Sequence, residues 1–249
     1  MNTHSSSSTG YNRKTSSPLN ASTFSSNNIH DFLINYELFI FDLDDTLVKT
    51  EEYHYKSWLY ILKHELGEGF FIEFDIFCSK FHSNKPDNIQ NYLSNELKIY
   101  NFEEVIKKKN EYYLKLIDFE KAHIKLIDGC EILLNKIIDN NKKFVIVSNS
   151  LKSNIDYFSE LFPILKKSSK NYYREMFTCR KPNPECYLRV VSDFPNDRKI
   201  GFEDSITGIH AMTLVKEIDP VFINIPSYYY YDYIIKSYPN ILVIENYKF

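Results

Sequence analysis

Basic excess, paired cysteines and long apolar runs are all missing from this 249-residue chain, and each absence removes a class of function. The formal net charge is -3 and the isoelectric point about 6.2, so no positive field exists to gather nucleic acid. Cys78, Cys130, Cys179 and Cys186 lie far apart with no CxxC pair. That spacing reads as scattered reduced thiols, not as disulfides or a zinc centre. No apolar run approaches a membrane span, and the N-terminus lacks the hydrophobic core of a signal peptide. A cytosolic, monomeric enzyme without a membrane partner is the expectation, and the Asn20-Ala21-Ser22 sequon then carries no meaning. No internal repeat is found. Gly is scarce at 6 while Tyr reaches 20 and Phe 19, a bias we attribute to base composition and not to function.

What is present suffices for a core. At 43% hydrophobic, the chain can bury one large domain or a domain with a smaller insert. Residues 1–30 are mostly Ser, Thr and Asn without apolar periodicity, and such a tail cannot offset its ordering entropy. Disorder is expected there; Arg13 and Lys14 permit a transit peptide, but a bare tail is the simpler reading. From Tyr36 to Asp42 the run is too continuously apolar for a half-exposed strand and reads as a buried one. Thr50 is the expected cap of a helix that opens on Glu51 and Glu52 and shows Trp58, Ile61, Leu62 and Leu66 on one side. Asp87-x-x-Gln90 and Asn101-x-x-Glu104 open two more helices, the first with Ile89, Leu93 and Leu97 on one face. No strand signal falls within 50–124.

Alternation follows. Helices are expected at 129–138, 154–161 and 207–216, and strands at 143–147, 199–202, 221–225 and 241–244. Strands alternating with helices predict an α/β fold: a Rossmann-like, doubly wound parallel sheet with an all-helical insertion after its first strand. The predicted division is a tail at 1–30, a core at 31–49 and 125–249, and the helical insertion at 50–124.

In such folds ligands bind beyond the carboxyl ends of the strands. Three polar clusters sit there: Asp42-Leu43-Asp44, Ser148-Asn149 and Glu203-Asp204, with Lys181 in a Pro-framed loop between the last two. Three carboxylates within four positions, Asp42, Asp44 and Asp45, are costly to assemble unless a cation offsets them. Asp42 and Asp204, from separate strands, can share one hard cation, and Mg²⁺ suits a few carboxylates plus waters and phosphate. One Asp then remains free to attack phosphorus and to divide a hard displacement into two easier ones. Two residues on, a second carboxylate can serve as acid and then as base. A Ser hydroxyl, backbone N–H groups and a Lys can hold and neutralise the phosphoryl oxygens.

Asp42-Leu43-Asp44-Asp45-Thr46-Leu47, Ser148-Asn149, Lys181-Pro182-x-Pro184 and Gly201-Phe202-Glu203-Asp204-Ser205-x-x-Gly208-Ile209 resemble, in order, the four motifs of the haloacid dehalogenase superfamily. The resemblance spans roughly residues 36–245 and implies an HAD-like core with a helical cap that closes over the substrate. It implies Asp42 as nucleophile, Asp44 as acid/base, Ser148 and Asn149 on the phosphoryl oxygens, and Lys181 as charge stabiliser. Asp204 and Glu203 would complete a Mg²⁺ site with Asp42 and the backbone carbonyl of Asp44. Asp45 stands where many members carry Gly, a variant that slightly favours phosphatases. Thr50-x-x-Tyr53-His54-x-x-x-Trp58 and Lys109-Asn110-x-Tyr112 resemble the beta-phosphoglucomutase branch, in which His54 and Lys109 help the cap close. Lys85 stands where that branch keeps a cap Arg for a distal phosphate, whereas Lys80-Phe81-His82-Ser83 lacks the branch's Lys-Gly.

Plainer readings exist for several of these residues. His54 reads equally as an ordinary histidine on a tyrosine-rich helix. In Lys107-Lys108-Lys109 a solvated basic face is the stronger reading of Lys109. Ser148 could simply cap the next helix. The tyrosine tract 228–231 reads as a loop and wall. Three expectations stand together: a Mg²⁺-dependent phosphatase for a small phosphorylated metabolite such as a sugar phosphate, a beta-phosphoglucomutase-like phosphotransferase, and a silent module binding through its tail.

Overall fold

The computed structural model describes residues 29–82, 84–224 and 231–248. Six strands form one parallel sheet: β1 Leu38–Phe41, β2 Lys143–Val147, β3 Lys170–Tyr172, β4 Lys199–Glu203, β5 Ile218–Ile223 and β6 Leu242–Ile244. Their order is β3-β2-β1-β4-β5-β6. The chain runs from β1 out to one side and then crosses back to the other, so the strand order reverses at β1. A doubly wound sheet opens its crevice at that reversal, beyond the strands' carboxyl ends.

The strands form because their apolar runs can be buried on both faces. Phe39, Phe41, Phe144, Ile146 and Phe202 point to one side, and Leu38, Ile40, Val145 and Val147 to the other, with the two-residue period of a pleated strand. On the first side Phe41 and Phe202 stack at 4.8 Å, and Tyr247 meets Phe41 edge-on at 6.0 Å. The sheet is flanked by α1 Ile29–Asn35, α6 Cys130–Asp139, α7 Lys152–Leu161, α8 Glu185–Asp193, α9 Ile206–Thr213 and α10 Tyr231–Ser237. Among the described residues, four helices and no strand lie between β1 and α6: α2 Glu51–Leu66, α3 Phe74–Lys80, α4 Pro86–Asn95 and α5 Phe102–Phe119. Trp58, Ile61, Leu62, Phe77, Phe81, Leu93 and Val105 form their shared interior.

Several expectations need correction. The first strand is shorter than 36–42; Tyr36 is buried outside it, its hydroxyl donating to Asp219 at 2.8 Å. β5 starts at Ile218, earlier than expected, and α9 ends at Thr213, short of 216. Leu66 is exposed at the end of α2 and adds nothing to its buried stripe. Helix α1 begins inside the stretch read as tail; residues 1–28, the rest of that tail, lie outside the described residues, as do Ile225, the last residue of an expected strand, and Tyr228–Tyr230. Tyr231 opens α10, not a loop.

Capping also differs. Thr50 precedes α2 without a side-chain cap, and the Asp45 carboxylate takes that work, accepting from the backbone N–H of Thr50 at 2.8 Å and of Glu51 at 3.2 Å. Asp45 adopts φ +49°, the left-handed region where glycine is at ease and which Asp enters more readily than most residues. Lys85, not Asp87, precedes α4, and Asp87 lies in its first turn.

Candidate active site

β1, β2 and β4 end side by side, and the loops leaving them converge with the loop after β3 beneath α2 and α5. The resulting cavity, about 410 Å³, is lined from the core by Asp42, Asp44, Ser148, Asn149, Lys181, Glu203 and Asp204. From above come His54, Trp58, Phe77, Phe81, His82, Lys109 and Tyr113. A space of this size suits a small metabolite.

At its floor Lys181, buried at 4% exposure, donates from Nζ to Asp42 Oδ1 at 2.7 Å, Glu203 Oε1 at 2.6 Å and the carbonyl of Val147 at 2.8 Å. Burial works against that ammonium, yet Asp42 and Glu203 outweigh it and hold Lys181 charged, its pKa well above the usual value. One positive charge cannot offset this many acids. Burial, with Glu203, Asp204 and Asp44 nearby, drives Asp42 well above the ordinary carboxylate range despite Lys181. Burial and repulsion from Glu203 and Asp45 do the same to Asp204, whose Oδ1 accepts from the Thr46 hydroxyl at 2.9 Å.

Carboxylate oxygens of Asp42, Glu203 and Asp204 all lie within 4.8 Å of one another. An all-oxygen, anionic, buried donor set whose acids repel one another fits a small hard dication, Mg²⁺ before any softer metal. Within the trio Glu203 is the most committed. Its Oε1 accepts from Lys181 and, at 3.3 Å, from Tyr187, and its Oε2 accepts from the Ser205 amide at 3.0 Å and hydroxyl at 2.9 Å. Asp42 and Asp204 are therefore the freer ligands.

Asp44 lies beyond β1, in the loop before α2, so strand pleating does not explain its position. Its Oδ2 accepts from the Ser150 hydroxyl at 2.6 Å, while Oδ1 is buried without a hydrogen-bond partner among the described residues, 3.7 Å from His54 Nε2. Burial alone would raise the Asp44 pKa; His54, Ser150 and Thr50 overcome it and bring the pKa down to about 2. His54 stacks on Tyr113 at 4.2 Å and meets Lys109 Nζ at 2.8 Å through Nδ1. Burial and the Lys109 charge lower the His54 pKa to about 4, so it is neutral near pH 7.

The structure brings together Asp42, Asp44, His54, Lys109, Ser148, Asn149, Lys181, Glu203 and Asp204, and it changes four readings. Lys109 is buried at 7% exposure and belongs to the cavity wall, not to a solvated basic face. The Asn149 carboxamide is engaged with the backbone of Lys181, at 3.0 Å to its N–H and 3.4 Å to its carbonyl, so the side chain braces the Lys181 loop and the Asn149 backbone N–H is the freer donor for an oxyanion. Ser148 does not cap α7, whose capping position is Leu151; its hydroxyl accepts from the Ser150 amide at 3.0 Å. Lys85 is exposed at the start of α4 and is not among the residues lining the cavity.

Other residues at the site were assigned no role from the sequence. His82 Nε2 comes within 3.6 Å of Asp204 and 3.9 Å of Glu51, bringing the α3–α4 connection against the acidic floor. Burial, Asp45 and Asp204 outweigh His82 and raise the Glu51 pKa to about 7. Ser150, Tyr187 and Gly208 matter through contacts that spacing along the chain cannot reveal.

A strand-ended acidic trio clamped by a buried lysine beneath a helical insert defines a class of hydrolase. The haloacid dehalogenase-like hydrolase pattern matches residues 39–213, and the chain belongs to that family. Among solved structures, an HAD hydrolase of family IA, variant 3, from Entamoeba histolytica HM-1:IMSS shares 22% identity. It superposes with a TM-score of 0.70 over 85% of this chain and 93% of that one. The beta-phosphoglucomutase of Clostridium difficile is 25% identical, with a TM-score of 0.64 over 85% of this chain and 92% of that one. A predicted phosphoglycolate phosphatase from Haemophilus somnus 129pt shares 15% identity and the fold, with a TM-score of 0.68 over 86% and 96%. Among the described residues no helix is long and apolar enough to cross a membrane.

Proposed function

We infer that this hydrolase is a Mg²⁺-dependent phosphatase acting on a small phosphorylated metabolite, with a sugar phosphate as the leading candidate. One observation carries the reading: Asp42 and Asp44 face the same cavity, with Lys181 held 2.7 Å from Asp42 and Asp204 beside it. Mg²⁺ held by Asp42 and Asp204, with Glu203 adjacent, supplies charge neutralisation to the acids and to a phosphoryl group. Asp42 is the nucleophile, which divides the displacement into formation and hydrolysis of an aspartyl-phosphate. Ser148 and the backbone N–H of Asn149 hold the phosphoryl oxygens, and Lys181 offsets their charge.

Asp44, with its pKa near 2, is ionised as the cavity stands, the state that takes a proton from an attacking water. A phosphate dianion brought beside it raises that pKa by like-charge repulsion, which is the direction needed to protonate a leaving oxygen first. Lys109 fixes the His54 imidazole against Asp44, and the pair steadies that carboxylate through the cycle.

That same pair supports a second reading, a phosphotransferase like beta-phosphoglucomutase, in which a sugar hydroxyl replaces water as acceptor. The experiment is turnover of p-nitrophenyl phosphate with and without Mg²⁺, in wild type and Asp42→Asn. Metal-dependent release of phosphate that vanishes in the variant supports the reading, and full activity in Asp42→Asn refutes it. Incubation with a hexose 1-phosphate plus bisphosphate primer separates the acceptors, since only a mutase returns the 6-phosphate.

A further inference from the structure

One charged feature of the cavity has no part in the chemistry above. Besides Lys109 and Lys181, two arginines line it among the described residues, Arg174 and Arg180. Lys109 is engaged by His54, and Lys181 by Asp42 and Glu203. The arginines are not so engaged. Arg174 donates from Nη1 to the carbonyl of Phe177 at 2.7 Å; among the described residues it has no carboxylate partner, and the Arg180 guanidinium has no hydrogen bond or ion pair.

Carboxylates near them in sequence are committed elsewhere. Glu175 accepts from the Lys152 amide at 3.1 Å and 3.2 Å, at the start of α7. Glu185 accepts from the amides of Thr178 at 3.1 Å and Cys179 at 2.8 Å and pairs with Arg189 at 2.9 Å. Burial, followed by repulsion from Arg174, disfavours the charge on Arg180. Two guanidiniums held near each other without an acid between them constitute an electrostatic cost, which an anion placed there removes.

The backbone under the pair is fixed. The Arg174 amide donates to the Ser150 carbonyl at 2.9 Å, which ties the β3 exit to the loop after β2. On the other flank Asn149 grips the backbone of Lys181, the neighbour of Arg180. Both arginines are thus mounted on the β3–α8 connection that carries Lys181, tied to the loop of Ser148, on the core and not on the helical insert. From the insert, Lys85 is outside the cavity, and among the described residues the engaged Lys109 is the insert's one lysine or arginine that lines it.

We propose that Arg174 and Arg180 form a core-mounted site for a second anionic group, a phosphate or a carboxylate, at the far end of the substrate. The inference rests on the phosphatase reading and narrows it: the preferred substrate is a phosphomonoester with a second anion, not one with a neutral tail. Guanidinium forks suit such planar, bidentate recognition better than ammonium groups do.

The test uses matched probes that differ only in the second anion: fructose 1,6-bisphosphate against fructose 6-phosphate, and 3-phosphoglycerate against glycerol 3-phosphate. Binding to the full chain carrying Asp42→Asn is measured by calorimetry with Mg²⁺ present, so that no turnover intervenes. At least one doubly anionic probe binds tenfold or more tightly than its neutral-tailed partner, and adding Arg180→Gln or Arg174→Gln reduces that ratio to about threefold or less. Arg180→Lys, which keeps the charge and loses the fork, retains part of the ratio and shows that the fold is intact. Equal affinity within both pairs, or a ratio that survives both glutamine substitutions, overturns the proposal. Which pair shows the preference distinguishes phosphate from carboxylate. Failure of p-nitrophenyl phosphate turnover in the wild type instead refutes the phosphatase reading, independently of these ratios.

Discussion

The ammonium of Lys109 lies 2.8 Å from Nδ1 of His54, and that contact decides which imidazole nitrogen carries the proton. An ammonium has only protons to give, so Nδ1 accepts and Nε2–H faces Asp44. Burial lowers the Lys109 pKa to about 8 against the pull of Glu51 and Asp44, which leaves it charged at neutral pH. A residue that sequence alone places on a solvated face thereby sets the protonation state of a group beside the candidate acid/base.

The first prediction concerns acid. His54 titrates near 4 in the folded protein and at 6.5 when unperturbed, so between those values the unfolded chain binds a proton that the native state does not. Stability contributed by neutral His54 is complete above about pH 6.5 and is lost as pH falls toward 4. Lys109→Met removes the opposing cation and should raise the His54 pKa by at least about one unit. Nitrogen-15 NMR titration of the histidines checks this; an unmoved His54 curve in the variant refutes the arrangement.

The second prediction concerns the lysine clamp. Lys181→Met leaves Asp42 and Glu203 buried without their shared cation, and breaking such a cluster by removing one partner costs about 3–5 kcal/mol. Glu203→Gln in the same chain removes one of the stranded charges and should restore part of that loss. Urea unfolding of the four proteins, with metal chelated, reads the cycle. If the second substitution simply adds to the first, the clamp is not the stabilising unit described here.

Much of this site is legible in the sequence, because Asp42, Ser148, Lys181 and Asp204 each end an apolar strand or occupy a Pro-framed loop, features that are local. The parallel sheet follows from the same alternation. What escaped was short or non-local. β3 has three residues at the sheet's edge, and α3 and α10 have seven each, too few for periodicity to declare itself. α8 has nine and an amphipathic pattern, but it follows directly on Pro182-Asn183-Pro184, a stretch that reads as loop. The capping role of Asp45 was hidden because three adjacent carboxylates invited one electrostatic explanation, whereas the fold gives Asp45 a backbone task. Contacts of His82, Tyr187 and the two cavity arginines join residues distant in the chain, and no spacing rule reports them.

The third prediction is metal linkage. Asp42 and Asp204 both have pKa values well above the carboxylate range without a cation, so a dication must displace protons to bind them, and its affinity rises with pH. At 100 times its Kd, Mg²⁺ should stabilise the fold by about 2.7 kcal/mol, which for a chain of this size is about 5–10 °C in Tm. Asp204→Asn should abolish the shift. Thermal unfolding with Mg²⁺ and with chelator, at pH 6 and pH 8, makes the comparison; a shift that survives in the variant places the ion elsewhere.

The fourth prediction isolates a glycine. Gly208 lies in the first turn of α9, where alanine ordinarily favours a helix by roughly 1 kcal/mol. Here a Cβ would collide with the Glu203 carboxylate, which is already held by Lys181, Tyr187 and Ser205 and has no room to yield. Overpacking of this kind costs about 1–3 kcal/mol, or about 2–12 °C in Tm. Displacing Glu203 also loosens Lys181 from Asp42, so Gly208→Ala should lose turnover as well as stability. Gly69→Ala, whose added carbon meets nothing within 4 Å, is the reference and should shift stability by no more than about 0.5 kcal/mol. If the two alanines behave alike, Glu203 is free to move, and the rigid bridge from α9 through Glu203 and Lys181 to Asp42 does not exist.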